Sequence, residues 1–224
     1  MASHPSTRAL IIAIDGPSGA GKGTVARAVA AELDYRHIDT GAMYRALAWR
    51  AVHEGLDLED ERALTALAHR TAIDVSDGVV AVDGQDVREA IRTPEIDRAA
   101  AKVARQPGVR EVLIRQQRDM GEHGGVVMEG RDIGTVVFPA ADLKIYLDAS
   151  PEERARRRAT DPSHASGKGA AAVQDVASAL AERDLSDSTR KVSPLTLAPD
   201  AVLIDTTGVP ITEVVERVLS LLKG

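Results

Sequence analysis

The chain has 224 residues, of which 44% are hydrophobic and only 2% aromatic, and it carries a formal net charge of −6 and no cysteine. This length suits one large domain, or one core with an inserted lobe. The absence of cysteine excludes disulfides and thiol nucleophiles. An acidic chain with so few aromatic rings is not expected to bind nucleic acid in general.

No apolar run approaches the ~20 residues that a membrane-spanning helix needs, and residues 1–8 lack the apolar core of a secretion signal. We therefore expect residues 1–8 to be a flexible tail and residues 9–224 to form the folded unit. We expect the protein to act in the cytoplasm, without a membrane partner, and the lack of cysteine is consistent with that compartment.

A glycine-rich segment separates the first apolar run, residues 10–14, from a predicted helix over residues 25–33. It matches the phosphate-binding pattern G-x-x-x-x-G-K-[ST], except that Gly23 stands where Ser or Thr usually holds magnesium and the hydroxyl follows at Thr24. Glycines let backbone N–H groups approach phosphate oxygens, and Lys22 attracts anions. The alternative is a turn that only packs the helix on its strand. The predicted phosphate-binding residues are Gly16, Pro17, Ser18, Gly19, Ala20, Gly21, Lys22, Gly23 and Thr24.

Five short apolar runs are typical of buried parallel strands, and helical periodicity separates most of them. Alternating strands and helices predict an α/β fold with a doubly wound, five-stranded parallel sheet, in which ligands bind beyond the carboxyl ends of the strands. A last helix is predicted near the end of the chain, over residues 210–222. The predicted strands are residues 10–14, 36–39, 126–129, 143–147 and 201–204.

The span from about residue 59 to residue 109 interrupts this alternation. It contains a predicted helix over residues 60–70 and β-like runs at residues 72–75, 79–82 and 85–87, with Asp-Gly turn signals between them. We interpret this span as a small α+β lobe inserted over the sheet.

An arginine-rich helix–loop–helix is predicted over about residues 151–187. A capping box with proline at the first helical position begins a helix over residues 151–160, residues 161–169 have the composition of a loop, and a second helix covers residues 173–185. This arrangement favours a mobile lid over an anionic ligand, and the alternative is a solvated helix face. The clustered arginines are Arg154, Arg156, Arg157 and Arg158.

Polar residues follow the second and third predicted strands. Thr40 and Arg45 come after the second strand, and Glu129, Arg131 and Asp132 come at the end of the third. Because these strand ends meet at one edge of the sheet, we expect the side chains to share a crevice with the phosphate loop. There Arg45 would take a phosphate through its guanidinium fork. The alternatives are an N-cap for Thr40 and a surface ion pair at the third strand.

Three further charged residues, Arg183, Asp187 and Arg190, lie at helical spacing near the end of the second lid helix. Arg183 and Asp187 are four residues apart and therefore share a helix face. Taken alone, this spacing favours a helix-surface salt bridge, with ligand binding as the alternative.

Together these segments resemble the nucleoside monophosphate kinases, and among them the bacterial cytidylate kinases, over about residues 9–222. The Gly-Lys-Gly-Thr form of the phosphate loop is itself typical of these kinases. The motifs that support the resemblance are residues 14–24, 39–45, 91–96, 109–111, 129–139 and 144–150, with the arginine-rich lid.

The resemblance implies a monomeric enzyme that transfers a phosphoryl group from ATP to CMP or dCMP with the help of Mg²⁺. Arg45 and Arg131 would hold the phosphate of the acceptor, and Arg110 and Asp132 would contact the cytosine edge. The complete acceptor-binding set that the resemblance implies is Thr40, Tyr44, Arg45, Arg110, Arg131, Asp132, Arg183, Asp187 and Arg190.

The resemblance also assigns roles within the lid and the inserted lobe. Arg183 and Asp187 would contact the acceptor sugar, Arg190 would contact the acceptor or the transferring group, and the inserted lobe would bind the monophosphate. The implied catalytic residues are Lys22, Arg131, Arg157 and Arg158. The lid arginines that would join the phosphate loop on ATP are Arg154 and Arg158.

The chain departs from the family pattern at two places. Family members often have Ser where this chain has Ala101, so one expected hydroxyl contact to the base is missing. The lid loop around residues 163–172 also differs from the usual family sequence. Magnesium would be held through water by Asp15 or Glu129, since Gly23 has no hydroxyl.

Other classes of protein remain as alternatives. One is a kinase for another acceptor, such as UMP, AMP or a small hydroxyl-bearing metabolite. A nucleotide-binding switch protein would need the guanine-binding motif N-K-x-D, which is absent, and the only D-x-x-G, at residues 205–208, comes too late in the chain. An interaction module with a vestigial loop is disfavoured by arginines that are expected to face one cleft.

Overall fold

The computed structural model describes residues 9–160 and 170–222. The predicted tail, residues 1–8, and the predicted lid loop, residues 161–169, lie outside the described residues. No helix within the described ranges is both long and apolar enough to cross a bilayer.

The elements in chain order are β1 (Ile11–Asp15), α1 (Lys22–Leu33), β2 (Arg36–Asp39), α2 (Thr40–His53), α3 (Glu61–Arg70), β3 (Ile73–Asp74), β4 (Ala81–Val82), β5 (Gln85–Asp86), α4 (Pro94–Val103), α5 (Pro107–Gly121), β6 (Val126–Gly130), a π-helical turn (Ile133–Val137), β7 (Leu143–Asp148), α6 (Pro151–Thr160), α7 (Ala170–Ser188), β8 (Val202–Asp205) and α8 (Ile211–Ser220).

Five parallel strands form the central sheet in the order β2-β6-β1-β7-β8. The five predicted strands are confirmed, each to within one residue at its ends. β1 lies at the centre, and Ile12, Ala13 and Ile14 are fully buried because both faces of the sheet are covered. The doubly wound α/β prediction is therefore confirmed.

Two aliphatic cores lie on the two faces of the sheet. On one face, α1 and α8 pack against the sheet with Ile12, Ile14 and Val218. On the other face, α2, α3, α4 and α5 contribute to a larger core that includes Ala13 and Met43. Successive residues of a strand face opposite sides, which explains why neighbouring residues of β1 join different cores.

The inserted lobe holds both the predicted strands and helices that the sequence analysis missed. β3, β4 and β5 form a small antiparallel sheet, and Ser76, between β3 and β4, forms an isolated bridge with Ile38 in the edge strand β2. α4 and α5 were not predicted. α4 nevertheless has clear start signals, because the Thr93 hydroxyl accepts the Ile96 N–H (3.2 Å) and Pro94 occupies the first turn.

Candidate functional site

A cleft of about 630 Å³ opens at the carboxyl ends of β1, β2 and β6, between the phosphate loop, the inserted lobe and helices α6 and α7. Among the described residues, its lining contains ten Arg and Lys side chains and four carboxylates. Such an excess of positive charge in an acidic protein indicates an anionic ligand. The lining includes the whole predicted acceptor set, Thr40, Tyr44, Arg45, Arg110, Arg131, Asp132, Arg183, Asp187 and Arg190.

The glycine-rich segment between β1 and α1 forms one wall of the cleft. Gly16 has a φ of 145°, and a Cβ there would lie 2.0 Å from the Leu147 carbonyl oxygen, so no other residue fits. α1 begins at Lys22 rather than at the predicted residue 25, because the end of the segment already forms the first helical turn. Of the predicted loop residues, the lining includes Ser18, Gly19, Gly21, Lys22, Gly23 and Thr24 but not Gly16, Pro17 or Ala20.

Lys22 is buried beneath this loop, and its Nζ donates a hydrogen bond to the Pro17 carbonyl oxygen (2.7 Å). Its pKa is lowered to about 7, chiefly by burial and next by the positive charge of Arg131, while the Glu129 carboxylate opposes the shift. Between about pH 7 and 10.5 the folded protein thus binds fewer protons at this site than the unfolded chain, so the contribution of Lys22 to stability rises with pH across that window.

We predict that ATP binding at pH 8 takes up close to one proton, because phosphate oxygens beside Lys22 raise its pKa and restore the ammonium. Isothermal titration calorimetry in two buffers of different ionisation enthalpy measures this uptake. Lys22→Met should abolish it, whereas Lys102→Met, at an exposed lysine that pairs with Glu59, should not. Equal binding enthalpies in the two buffers for the wild-type protein would contradict the prediction.

Asp15 is the last residue of β1, and its side chain fixes the backbone that follows the neighbouring strand β6. Its two carboxylate oxygens accept the backbone N–H groups of Ile133 (2.9 Å) and Gly134 (2.7 Å) at the start of the π-helical turn. Burial nevertheless raises the pKa of Asp15 to about 6. Because both oxygens are already engaged, Asp15 is less suited than Glu129 to hold a cation.

At the end of β2, the alternative that Thr40 is the N-cap of α2 is wrong, because the preceding residue is the cap. Asp39, not Thr40, caps α2, because its extended backbone lets the carboxylate accept the Ala42 N–H (2.9 Å). The Thr40 hydroxyl instead donates to the Glu129 carbonyl oxygen (2.7 Å), which joins β2 to β6. The second oxygen of Asp39 accepts from Arg45 Nη2 (2.8 Å) and holds that guanidinium at the cleft.

The residues that follow β6 make buried ion pairs rather than the surface pair offered as the alternative. Arg110 Nη2 donates to Asp132 Oδ2 (2.5 Å), and the two side chains are 2% and 8% exposed. The Arg110 guanidinium also lies 5.4 Å from the centroid of the Tyr44 ring, and burial raises the pKa of the Tyr44 phenol to about 12. Charged groups buried this deeply are costly unless they are paired and hydrogen-bonded, as Arg110 and Asp132 are.

Asp187 links the lid to β6 instead of pairing with Arg183 on a helix surface. Arg131 Nε donates to Asp187 Oδ2 (2.9 Å), and Arg190 Nη1 lies 3.8 Å from Oδ1. Burial alone would raise the pKa of Asp187, but the surrounding guanidiniums hold it below its usual value. The carboxylate therefore stays ionised and fixes the arginines around it.

Several buried guanidinium nitrogens in the cleft have hydrogen-bond donors to spare. Arg45 Nε, Arg110 Nε and Arg190 Nε and Nη2 have no hydrogen-bond partner among the described residues. A buried donor without a partner costs free energy, and such groups in native proteins usually have an explanation. Three cleft arginines with spare donors are suited to the oxygens of a phosphorylated ligand.

The lid arginines divide into two kinds. Arg157 and Arg158 line the cleft, whereas Arg154 lies behind the phosphate loop, where its Nη1 donates to the Ser18 carbonyl oxygen (3.2 Å) and pairs with Asp184. Arg158 pairs with Asp97 of the inserted lobe. Arg154 thus supports the loop backbone in this structure, in contrast to the direct phosphate contact expected for it. α7 also extends beyond the predicted residues 173–185.

Several residues of the cleft lining have no predicted role. Arg27, Arg92 and the small side chains of Ala100 and Ala104 line the cleft beside Ala101. Arg92 lies inside one of the family motifs. Ala100 and Ala101 lie on α4 and Ala104 directly follows it, but that helix was not predicted. Only its start signals at Thr93 would have revealed this surface.

Known proteins provide the family context. A family model described as cytidylate kinase matches residues 12–224. The chain is 46% identical to a cytidylate kinase of Solibacter usitatus (strain Ellin6076), over 96% of this chain and 93% of that protein. It is 50% identical to a cytidylate kinase of Desulforamulus reducens, over 93% of this chain and 95% of that protein.

Among solved structures, a shikimate kinase from Bacteroides thetaiotaomicron is similar to the chain with a TM-score of 0.52, over 96% of this chain and 99% of that one. At 13% sequence identity, this similarity concerns the fold alone. It agrees with the five-stranded parallel sheet described above.

Proposed function

The chain belongs to the cytidylate kinase family, and on this premise we propose that it transfers the terminal phosphoryl group of ATP to CMP or dCMP, giving ADP and CDP or dCDP. The observation that best supports the proposal is that six residues of the phosphate loop and the nine acceptor residues line one cleft. A phosphate loop alone would suit many nucleotide-binding proteins, whereas a second, arginine-rich half suits a phosphorylated acceptor.

The reaction needs little covalent help from the protein. The nucleophile is a phosphate oxygen of the acceptor, which is already ionised at neutral pH, so no strong general base is required. Catalysis is then the alignment of the two phosphates and the neutralisation of charge in a loose, in-line transition state. Arg45 and Arg131 would orient the acceptor phosphate, and Lys22, Arg157 and Arg158 would balance the charge that develops.

Magnesium fits the donor set of the cleft. Mg²⁺ prefers oxygen ligands and is usually held by one or two carboxylates together with phosphates and water, and when bound it neutralises charge on the phosphates. The described residues contain no group of three or more His, Cys, Asp or Glu suited to a metal. Glu129 is buried, lines the cleft and lies against Gly23 of the phosphate loop, so it would hold the ion, through water.

The far half of the cleft would bind the base. Asp132 offers a carboxylate that is fixed by Arg110, and it can accept a hydrogen bond from the amino group of cytosine, which uracil lacks. Ala101 lines the same space without a hydroxyl. Discrimination between CMP and UMP would therefore depend mainly on the pair formed by Asp132 and Arg110.

We assign the inserted lobe to acceptor binding and the lid to closure over the phosphates, since water must be excluded to avoid hydrolysis of ATP. The substrates of the proposed reaction, ATP and CMP, support a cytoplasmic location. One copy of the chain supplies every residue assigned to the cleft, which supports a monomer.

A coupled assay of ADP release with CMP, dCMP, UMP and AMP as acceptors tests the proposed function. We expect CMP and dCMP to be the best acceptors, with UMP at least about tenfold lower in kcat/KM, because a site built for a hydrogen bond rejects a ligand that lacks it. A preference for another monophosphate would favour a sibling kinase. Slow ATP hydrolysis that no acceptor changes would favour a switch protein or an interaction module.

A further inference from the structure

A buried histidine lies behind the cleft and does not line it. His37 is on β2 and Glu129 is on the neighbouring strand β6, and their side chains are 6% and 9% exposed. His37 Nε2 lies 3.0 Å from Glu129 Oε1. Since an ionised carboxylate can only accept, the imidazole N–H is the donor. This contact was not anticipated from the sequence, where the two residues are 92 positions apart.

The Glu129 carboxylate is directed at the first turn of α1. A Cβ on Gly23 would lie 3.1 Å from Glu129 Oε1 and 3.6 Å from Oε2. A serine or threonine at this position would require the carboxylate to shift by a few tenths of an ångström. The carboxylate thus lies close to the first turn of α1, to which Lys22 also belongs.

His37 is itself held in place by the inserted lobe. Its backbone N–H donates to Asp77 Oδ1 (3.2 Å), and the Asp77 N–H donates to the His37 carbonyl oxygen (3.3 Å). These bonds fix the strand on which the imidazole sits. Without the imidazole, the Glu129 side chain would lie near Lys22 and Arg131 and could turn toward either cation.

We propose that His37 is a positioning residue for phosphoryl transfer: its Nε2–H holds the Glu129 carboxylate in the orientation in which it would take up the magnesium that accompanies the donor nucleotide. This inference rests on the proposed function. Partners that orient a metal-binding carboxylate typically change metal affinity or activity by about 10–100-fold when they are removed. The role predicts an effect on metal-dependent binding and on kcat, with little effect on the acceptor.

The test compares His37→Leu, which removes the donor, with His37→Gln, whose amide nitrogen can take the place of Nε2. The first measurement is the affinity for a non-hydrolysable ATP analogue, by calorimetry with and without Mg²⁺. In His37→Leu the gain in affinity due to Mg²⁺ should shrink about tenfold, while the metal-free affinity stays within about twofold of wild type. His37→Gln should restore most of that gain.

Steady-state kinetics give the second measurement. His37→Leu should lower kcat about tenfold and leave the KM for CMP within about twofold of wild type. In a Glu129→Ala background, His37→Leu should have no further effect, because nothing remains to be positioned. His53→Leu, at a histidine whose Nδ1 bonds the Trp49 carbonyl oxygen away from the cleft, is the matched control and should change neither quantity.

An undiminished Mg²⁺-dependent gain in His37→Leu would overturn the inference, as would an equal loss of metal-free affinity or a full effect in the Glu129→Ala background. If His37→Leu does not fold, His37→Asn replaces it, since its shorter amide does not reach Glu129. A wild-type protein that fails to phosphorylate CMP would refute the proposed function instead, and the binding measurements would still decide the role of His37.

Discussion

Lys22→Ala should leave a folded protein in which kcat for phosphoryl transfer falls by about 10²–10³-fold, the cost typical of removing one preorganised electrostatic contact to a transition state. Lys22 is buried at the N-terminus of α1 with its ammonium bonded to the Pro17 carbonyl oxygen. No other lysine lines the cleft among the described residues. Coupled-assay kinetics with saturating CMP measure the change.

The fold should survive this substitution because burial of an ammonium is itself costly, as the lowered pKa of Lys22 shows. Circular dichroism and a urea titration check that the variant is folded. Lys102→Ala removes an exposed lysine whose Nζ lies 3.1 Å from Glu59 and should keep wild-type turnover. Turnover near wild type in Lys22→Ala would contradict the assignment of the phosphate loop.

Asp132→Ala should weaken CMP binding far more than ATP binding. The loss of a buried acceptor for the base costs roughly 1–3 kcal/mol, which raises the KM for CMP about 5- to 150-fold. ATP would bind on the opposite half of the cleft, so the KM for ATP should change by less than about threefold. Separate titrations of each substrate at saturating levels of the other measure the two effects, and equal losses would refute the role of Asp132.

The same substitution also removes the partner of Arg110, which is 1% exposed. Breaking a buried ion pair typically destabilises a protein by about 3–5 kcal/mol, so Asp132→Asn, which keeps an acceptor oxygen, is the companion variant. Asp86→Ala is the matched control, because Asp86 and Arg88 form an exposed pair at 2.6 Å. Removal of this pair should lower the free energy of unfolding by less than about 1 kcal/mol and leave the KM values for CMP and ATP unchanged.

The parts of the fold that depend on local sequence were predictable. The strands are short apolar runs that stand out in the sequence. The phosphate loop has glycine where a Cβ would meet the Leu147 carbonyl oxygen, so its glycine pattern is also visible in the sequence. The acceptor residues were identified through the family resemblance, and the structure places them in one cleft. Their individual roles stay predictions.

The parts that depend on packing between distant segments were not predictable. Arg154 and Arg157 lie on the same helix, yet only the tertiary structure places Arg154 against the Ser18 carbonyl oxygen and Arg157 in the cleft. The contact between His37 and Glu129 joins two strands that are adjacent only after the chain has crossed the inserted lobe. In the inserted lobe, α4 was not predicted, although Thr93 is a typical N-cap residue.

Binding of a single ligand that joins adenosine and cytidine through five phosphates tests most directly whether one cleft holds both nucleotides. Calorimetry should give one molecule per chain and a Kd at least about 100-fold below that of ATP or CMP alone, because linked groups bind as one. Lys22→Ala and Asp132→Asn should each weaken it. Binding of two molecules per chain, or an affinity no better than that of ATP, would contradict the account.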